Sequence, residues 1–95
     1  MYYIVYMVYY ENKVEKAVKK GEIPKNIFSN FHNVFLSLDL TKDLNLFDIK
    51  KLKGNYDKEY FRLRKGKYRA IFYFSNNDIF VIYIEKHEEV YDLWQ

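Results

Sequence analysis

The stretch from Phe61 to Phe74 constrains the fold more than any other part of this chain. It alternates apolar and cationic residues up to a Lys65-Gly66 step and then alternates again on the other side. Alternation with period two on both sides of a glycine predicts a β-hairpin. A two-residue turn at Lys65-Gly66 would pair Arg62 with Arg69, and residues directly opposite one another share a face of the sheet. Four cations would then project from one side of the hairpin: Arg62, Arg64, Lys67 and Arg69.

The other side of this hairpin is predicted to be apolar and to face a hydrophobic core. It would consist of Phe61, Leu63, Tyr68, Ala70, Phe72 and Phe74. Like charges placed directly opposite one another destabilise a sheet, by a few tenths to about 1 kcal/mol per pair. A face of four cations therefore indicates a polyanionic partner.

The composition limits the class of protein. The 95 residues are expected to form one domain, 1–95, because no stretch rich in proline, glycine or serine divides them. Aromatic residues make up 21% of the chain and charged residues 31%, which argues against both disorder and a membrane-spanning chain. Cysteine is absent, so no disulfide framework is expected. His32 and His87 have no ligand-spaced partners, so we expect no metal site and no cofactor.

The apolar segment from Met1 to Tyr10 is too short to span a membrane, and it has neither a basic leader nor a small-residue cleavage site. We therefore expect a cytoplasmic protein without a membrane partner. The net charge is only +3, but basic residues cluster between Lys50 and Arg69. Such a stripe suits phosphate groups. The alternative interpretation is a solvated face that serves solubility.

The order of predicted elements begins with a strand. Residues 2–9 are β-branched and aromatic without a polar interruption, which is typical of a strand covered on both faces and interior to a sheet. Residues 11–20 have the spacing of a short amphipathic helix, and Gly21 is placed to end it. A second helix is predicted to begin near Pro24 and to end near Leu38.

The remaining elements are mostly strands. We predict a loop at 39–47, a short strand at 48–53, hairpin strands near 60–65 and 67–75, a last strand at 79–85, and a closing helical turn at 88–94. The order β-α-α-β-β-β with a short C-terminal helical turn predicts an α+β fold. Two helices would pack on one face of a mostly antiparallel sheet.

The register of the second hairpin has two solutions. The run Ser75-Asn76-Asn77-Asp78 is a strong turn signal. A two-residue Asn76-Asn77 turn would place Phe80 and Ile82 on the same face as the arginines. A three-residue turn would place the odd-numbered residues from Val81 to Glu85 there instead.

The segments 48–54 and 60–72 resemble the RelE/ParE superfamily of toxin proteins. The family pattern is a Lys-Leu-x-Gly segment, a Tyr-Arg-(Leu/Ile)-Arg strand, a short glycine turn and a Tyr-Arg-(Val/Ile) strand. A final strand then leads to a basic residue or histidine and to a tyrosine, here His87 and Tyr91. The resemblance covers about residues 48–91, and the first half of the chain matches only in the order and length of its elements.

This resemblance implies a compact β-α-α-β-β-β-(α) fold and, in the RelE branch, the toxin of a type II toxin–antitoxin system. Such a toxin is a ribosome-dependent endoribonuclease, an mRNA interferase that needs no metal. The substrate 2′-hydroxyl attacks the adjacent phosphate in the decoding site and leaves a cyclic phosphate. The implied partners are the ribosome, mRNA and a co-encoded RelB-like antitoxin that wraps the toxin.

The resemblance also implies roles for particular residues. Arg62 and Arg64 match the basic pair of the second sheet strand, and Arg69 matches the arginine that holds the phosphate. Tyr91 matches a tyrosine that stacks on or orients a base, and His87 is the candidate for proton transfer. The expected RNA-binding lysines are Lys50, Lys51, Lys53, Lys67 and Lys86.

The proton acceptor is the weak point of this assignment. Arginine is a poor general base because its pKa is above 12, and many family members have lysine in place of Arg62 or Arg64. His87 has the best intrinsic pKa for proton transfer, and Glu85, Glu88 or Glu89 would serve if aimed inward. The tail also departs from the family pattern, because Glu88 follows His87 where an arginine is common and the tyrosine comes one position early.

Simpler interpretations compete with each of these roles. The arginines could form a solvated sheet face, or pair with Glu11, Glu15 or an acidic partner. Tyr91 could anchor the tail to the sheet, His32 is expected to be structural or exposed, and the N-terminal tyrosines are expected to lie in the core. The rival functions are a ParE-like toxin that targets DNA gyrase and a catalytically degenerate module that only binds an antitoxin.

Overall fold

The computed structural model describes residues 2–5 and 8–86. Its strands and helices, numbered along the chain, are β1 (Tyr2–Val5), β2 (Val8–Glu11), α1 (Asn12–Lys19), α2 (Lys25–Thr41), β3 (Ile49–Lys51), β4 (Phe61–Lys65), β5 (Tyr68–Ser75) and β6 (Asp78–Lys86), with a 3₁₀ helix at Leu44–Leu46. Among these residues the strands form one sheet in the order β1-β2-β6-β5-β4-β3. All neighbours are antiparallel except β2 and β6, which are parallel. The predicted α+β class is confirmed.

The N-terminal prediction was wrong in one respect, because the apolar run is an antiparallel hairpin rather than one interior strand. Tyr3 pairs with Tyr10 and Val5 with Val8, which places β1 at the edge of the sheet and β2 inside it. No glycine, proline, asparagine or aspartate marks the reversal, so the pattern does not distinguish one strand from two. Residues 6 and 7 lie outside the described part of the chain.

The first helix ends where the sequence predicts. Gly21 has a φ of +80°, a left-handed conformation that glycine adopts at little cost. Its N–H donates to the carbonyl of Val18 at 3.1 Å, and the N–H of Glu22 donates to that of Ala17 at 2.9 Å. These bonds satisfy carbonyl groups that the end of α1 would otherwise leave unpaired.

The second helix begins as predicted, directly after Pro24, but continues to Thr41 rather than stopping near Leu38. Lys42 ends it in a left-handed conformation with a φ of 58°, and its N–H donates to the carbonyl of Leu38 at 2.8 Å. The predicted loop at 39–47 is therefore helical at its start. Polar residues near the end of a helix give no clean periodicity, which is why the pattern hid this last turn. No helix of the described residues is long and apolar enough to cross a membrane.

Both helices pack on one face of the sheet and enclose the main core. Phe35 on α2 meets Phe72 on β5 with ring centroids 5.2 Å apart. The buried residues of this core are Val8, Tyr10, Val14, Ile23, Phe31, Phe35, Leu38, Leu63, Ala70, Phe72, Ile79, Val81 and Ile84. Burying a large apolar side chain stabilises a fold by about 1.5–3 kcal/mol, so this layer holds the sheet and helices together.

One polar pair lies at the border of this core. The hydroxyl of Tyr10 is 2.8 Å from Nδ1 of His32, which lies on α2. Burial lowers the pKa of His32 and raises the pKa of Tyr10, so both side chains favour their neutral forms. The imidazole and the hydroxyl therefore share a hydrogen bond between two neutral groups. His32 was expected to be structural or exposed, and its hydrogen bond to Tyr10 fits the structural alternative.

The predicted turn of the arginine hairpin was one position too early, which shifts the pairing by two residues. The turn is Gly66-Lys67, so Arg64 pairs with Arg69 and Lys65 with Tyr68. Gly66 has a φ of +61°, and a hairpin turn that requires a positive φ at its first central residue selects glycine there. Because the predicted and observed turns both contain two residues, each side chain of the two strands keeps its predicted face.

The second hairpin combines the two registers that the sequence left open. Asn76 and Asn77 form a two-residue turn with φ values of 53° and 70°, and Phe72 pairs with Val81. A register shift follows, after which Ile71 pairs with Tyr83. Ile82 is thus the extra residue of a β-bulge, which reverses the faces of all later residues of β6.

Candidate functional site

The sheet face opposite the helices carries the three predicted arginines, and we call it the arginine face. Arg64 lies directly opposite Arg69, and Arg62 lies two residues before Arg64 on the same strand. Arg69 is 1% exposed and Arg62 8%, whereas the side chain of Arg64 is 42% exposed. The alternative of a solvated face is wrong for Arg62 and Arg69. Buried cations of this kind need anionic or hydrogen-bonding partners.

Asp48 is an anionic partner that the sequence analysis did not identify. Its carbonyl accepts the N–H of Arg64 at 3.0 Å, which places Asp48 beside Arg64 at the start of β3. Its Oδ2 lies 2.9 Å from Nε of Arg64, and its Oδ1 lies 3.5 Å from Nη2 of Arg62. One carboxylate therefore bridges two arginines. The acids named as alternatives pair with lysines instead, Glu11 with Lys13 and Glu15 with Lys19.

The bulge in β6 brings a second acid to the arginine face. Glu85 pairs with Arg69 across the β5–β6 ladder and therefore shares its face. If the pairing next to the Asn76-Asn77 turn continued along β6 without the bulge, Ile84 would lie opposite Arg69 and Glu85 would point toward the helices. The two cations Arg64 and Arg69 are thus flanked by Asp48 on the β3 side and by Glu85 on the β6 side. These acids offset the repulsion between the two directly opposed arginines.

Arg62 retains donor groups that could bind an anion. Its Nε and Nη2 are buried, and neither has a hydrogen-bond partner among the described residues. Buried donors without a partner are rare in folded proteins and are costly to maintain. A guanidinium group donates in a planar fork that matches a phosphate oxygen pair. Arg62 thus has donors of the type that binds phosphate, although both atoms are buried in this structure.

A row of aromatic rings continues the arginine face away from the charges. Tyr9 and Phe80 stack with centroids 4.7 Å apart, and Phe80 and Tyr73 stack at 5.2 Å. Tyr60 meets Tyr73 edge-on at 5.8 Å, and Tyr56 meets Tyr60 at 5.6 Å. The prediction that the N-terminal tyrosines are core residues holds for Tyr10, whereas Tyr9 lies on the arginine face.

The segment between β3 and β4 folds over this face. Nζ of Lys58 lies 5.3 Å from the ring centroid of Tyr73. The hydroxyl of Tyr60 donates to Asp57 at 3.1 Å, and this hydrogen bond holds the pKa of the Asp57 carboxyl below its usual value. Ile71 is fully buried although it lies opposite Arg62, on the side of the sheet away from the helices. The centre of the arginine face is therefore covered and partly apolar.

The predicted RNA-binding lysines do not gather on one surface. Lys50 lies directly opposite Arg62 and shares the arginine face. Lys51 lies opposite Phe61 on the helix side and pairs with Glu59. Lys86 lies opposite Tyr68, also on the helix side.

The two remaining lysines occupy exposed positions outside the strands. Lys67 is in the Gly66-Lys67 turn, and Lys53 follows β3. Of the five predicted lysines, the structure thus brings Lys50 next to the arginines. The predicted His87 and Tyr91, like Glu88 and Glu89, lie outside the described residues, so their roles stay predictions.

A cavity of about 520 Å³ lies between α1 and β6. Val14, Ala17 and Ile23 line it from the helical side, and the segment from Ile82 to Lys86 lines it from the sheet. It contains none of the three arginines. Within the described part of the chain, no three histidines, aspartates or glutamates are placed to hold a metal ion.

Comparison with known proteins identifies the fold. The chain matches no protein-family model and no curated protein sequence. It is similar to the toxin chain of the RelB-RelE antitoxin–toxin complex of Methanococcus jannaschii, with 24% identity, a TM-score of 0.68, and coverage of 90% of this chain and 98% of that one. It is also similar to a chain of the archaeal RelE-RelB complex of Pyrococcus horikoshii OT3, with 27% identity, a TM-score of 0.65, and coverage of 87% and 96%.

These likenesses extend over both halves of the chain, whereas the sequence resemblance covered only the second. The protein has the fold of the RelE toxins. The resemblance seen in the sequence is confirmed at the level of the fold.

Proposed function

We propose that this protein is the toxin of a type II toxin–antitoxin system and cleaves mRNA on the ribosome. One observation carries the proposal: Arg62, Arg64 and Arg69 lie on one face of a RelE fold, and Arg62 has buried donors without a hydrogen-bond partner within the described residues. The similar structures are toxins in complexes with RelB antitoxins, which supports a RelB-like antitoxin as the partner. The ribosome and mRNA as further partners, and a cytoplasmic location, belong to the same proposal.

The arginines suit the charge changes of this reaction. The 2′-oxygen of one nucleotide forms a bond to the adjacent phosphorus, the bond from phosphorus to the 5′-oxygen of the next nucleotide breaks, and a cyclic phosphate remains. Negative charge builds up on the phosphate oxygens as the five-coordinate state forms. Arg69 and Arg62 would donate to these oxygens from fixed, largely buried positions, where such donors stabilise a transition state most strongly.

Two protons must also move. One leaves the 2′-hydroxyl, and one is delivered to the departing 5′-oxygen. Arginine does not accept the first proton, because its pKa is above 12. Glu85 lies opposite Arg69 on the arginine face and is a candidate acceptor. His87, one residue beyond the last described position, is the proposed second proton carrier, and Tyr91 is proposed to stack on a base. No metal or cofactor is required by this scheme.

The direct test is to incubate the protein with ribosomes programmed with mRNA and to map cut ends by primer extension. We expect cuts in the decoding site. Arg69→Gln should reduce their rate by about 10²–10³-fold, the usual cost of losing one donor to a developing oxyanion. Lys25→Gln, an exposed change at the start of α2, should leave the rate unchanged.

Failure of this test would have a defined meaning. If the wild-type protein cuts no mRNA on ribosomes, the proposal is wrong. A supercoiling assay with DNA gyrase would then distinguish a ParE-like toxin from a module that only binds an antitoxin. The thermal unfolding of Arg69→Gln must be measured alongside its cleavage rate. Arg69 is buried, so a lower rate could otherwise reflect a smaller folded fraction.

A further inference from the structure

We propose that Asp48 is a positioning residue of the arginine face, an internal counter-ion that stands in for the substrate phosphate when RNA is absent. This inference rests on the proposed function. It predicts that Asp48 weakens the binding of RNA and raises the rate of RNA cleavage. These two effects have opposite signs and are measured separately.

The geometry of Asp48 is that of a bidentate anion between two guanidinium groups. Its two carboxylate oxygens contact different arginines, Oδ2 with Arg64 at 2.9 Å and Oδ1 with Arg62 at 3.5 Å. The hydrogen bond from the N–H of Arg64 to the Asp48 carbonyl fixes the backbone beside β4. The two arginine side chains are therefore already separated and oriented as an anion with two oxygens requires, before any RNA binds.

Asp48 satisfies this cluster only in part. Nη2 of Arg62 is too far from Oδ1 for a good hydrogen bond, and Nε of Arg62 has no hydrogen-bond partner among residues 2–5 and 8–86. Asp48 itself is 46% exposed at its side chain, so its carboxylate can turn toward water. A phosphate oxygen that displaces the carboxylate and reaches Arg62 would meet buried donors that Asp48 leaves without a hydrogen bond.

The matched variant is Asp48→Asn, which keeps the size and removes the charge. Binding of a non-cleavable RNA, with a 2′-deoxynucleotide at the cut position, should become about fivefold tighter at low salt, because one like charge no longer opposes the phosphate. The rate of cleavage on the ribosome at saturating protein should fall by about tenfold or more, because the arginines lose their fixed orientation. Asp48→Glu, which restores the charge, should recover most of the rate.

The control variant is Asp43→Asn. Asp43 accepts the N–H of Asn45 at the start of the 3₁₀ helix, a hydrogen bond that asparagine can also accept, and its loss of charge equals that of Asp48→Asn. It should change neither binding nor cleavage by more than about twofold. An equal effect of both variants would mean that net charge alone acts, and the inference would be wrong.

Other outcomes also decide the question. Weaker binding together with slower cleavage in Asp48→Asn would make Asp48 a purely structural residue. Tighter binding with an unchanged or faster cleavage rate would make it a simple charge, without a positioning role. Either result overturns the proposal.

A second measurement keeps the inference testable if the protein proves not to cleave RNA. ¹⁵N NMR of the arginine side chains should show a slowly exchanging Nε–H for Arg64 in the wild type, because Asp48 accepts it. This signal should exchange rapidly in Asp48→Asn, and the non-cleavable RNA should shift the Nε–H signal of Arg62 in both proteins. If the RNA moves no arginine signal, Asp48 does not stand in for a phosphate, whatever the protein's activity.

Discussion

The two faces of one sheet in this protein are built on different principles. The helix side is apolar and continuous, and its stability comes from packing among residues such as Phe35, Phe72 and Val81. The arginine face combines a small aromatic row with buried cations, and its charges are balanced by Asp48 and by the register that brings Glu85 opposite Arg69. The apolar residues of the helix side therefore provide most of the stabilising free energy. The arginine face has cations that suit an anionic ligand, and burying these cations reduces stability.

The largest effect is expected from inserting one alanine between Tyr83 and Ile84, because this change acts on both faces at once. Continued pairing would place Ile84 opposite Arg69 and Glu85 opposite Tyr68, so Ile84 would leave the core and Glu85 would turn toward it. Loss of one buried apolar side chain and burial of an unpaired carboxylate together should cost more than about 4 kcal/mol. Chemical denaturation should show a protein that is unfolded or close to it. An insertion variant with wild-type stability would mean that the register of β6 does not determine the two faces.

Phe35→Ala tests the helix side alone. Phe35 is fully buried against Phe72, so its truncation should reduce the free energy of unfolding by about 3–5 kcal/mol. Cleavage per folded molecule should change little, because Phe35 does not reach the arginine face. Asn33→Ala, an exposed change on the same helix, is the control and should shift the urea midpoint only slightly.

Arg62→Met tests the arginine face alone. Replacing a poorly paired buried cation by an apolar side chain of similar size should leave stability unchanged or raise it, since burying the charge is no longer required. Cleavage on ribosomes should nevertheless fall by about 10²-fold. Lys65→Met removes a charge from the same strand but on the other face, and should keep the activity. A large loss of stability in Arg62→Met would mean that the arginine face also contributes substantially to the free energy of folding.

Gly66→Ala tests the turn that joins the two arginine strands. A residue with a Cβ at a φ of +61° is strained, by about 1–2 kcal/mol, although no other atom lies near the added methyl group. Thermal unfolding should show this decrease. The neighbouring change Lys67→Ala serves as the control, because among the described residues Lys67 is not one of those with a positive φ.

The smallest effect is expected from pH, through the Tyr10–His32 pair on the helix side. Burial holds the pKa of His32 in the folded protein below its ordinary value of 6.5. The unfolded chain therefore takes up the proton first as the pH falls. The free energy of unfolding is therefore not reduced by His32 above about pH 6.5. It decreases as the pH falls from there through the lower pKa of His32 in the folded state. Unfolding curves between about pH 7 and pH 5 should show this slope, and His32→Gln should reduce it.

Much of the site could be predicted because side-chain alternation is local. The faces of Arg62, Arg64 and Arg69 follow from period two within each strand, and an error of one position in the turn did not change them. The partner of two of these arginines could not be found in this way, because Asp48 lies in a different segment and meets Arg64 only through the pairing of β3 with β4. The available signal for this partner in the sequence was the position of Asp48, at the start of a short predicted strand and close in sequence to the basic hairpin.

The sequence by itself determined the class of fold, the order of the helices, the end of α1 at Gly21 and the presence of a turn at 75–78. Each of these depends on the conformational preferences of neighbouring residues. The tertiary structure decided the division of the N-terminal run into β1 and β2, the bulge at Ile82 and the bridge from Asp48 to the arginines. These features depend on which segments lie side by side, and long-range register is set by the fit of the whole core rather than by local pattern.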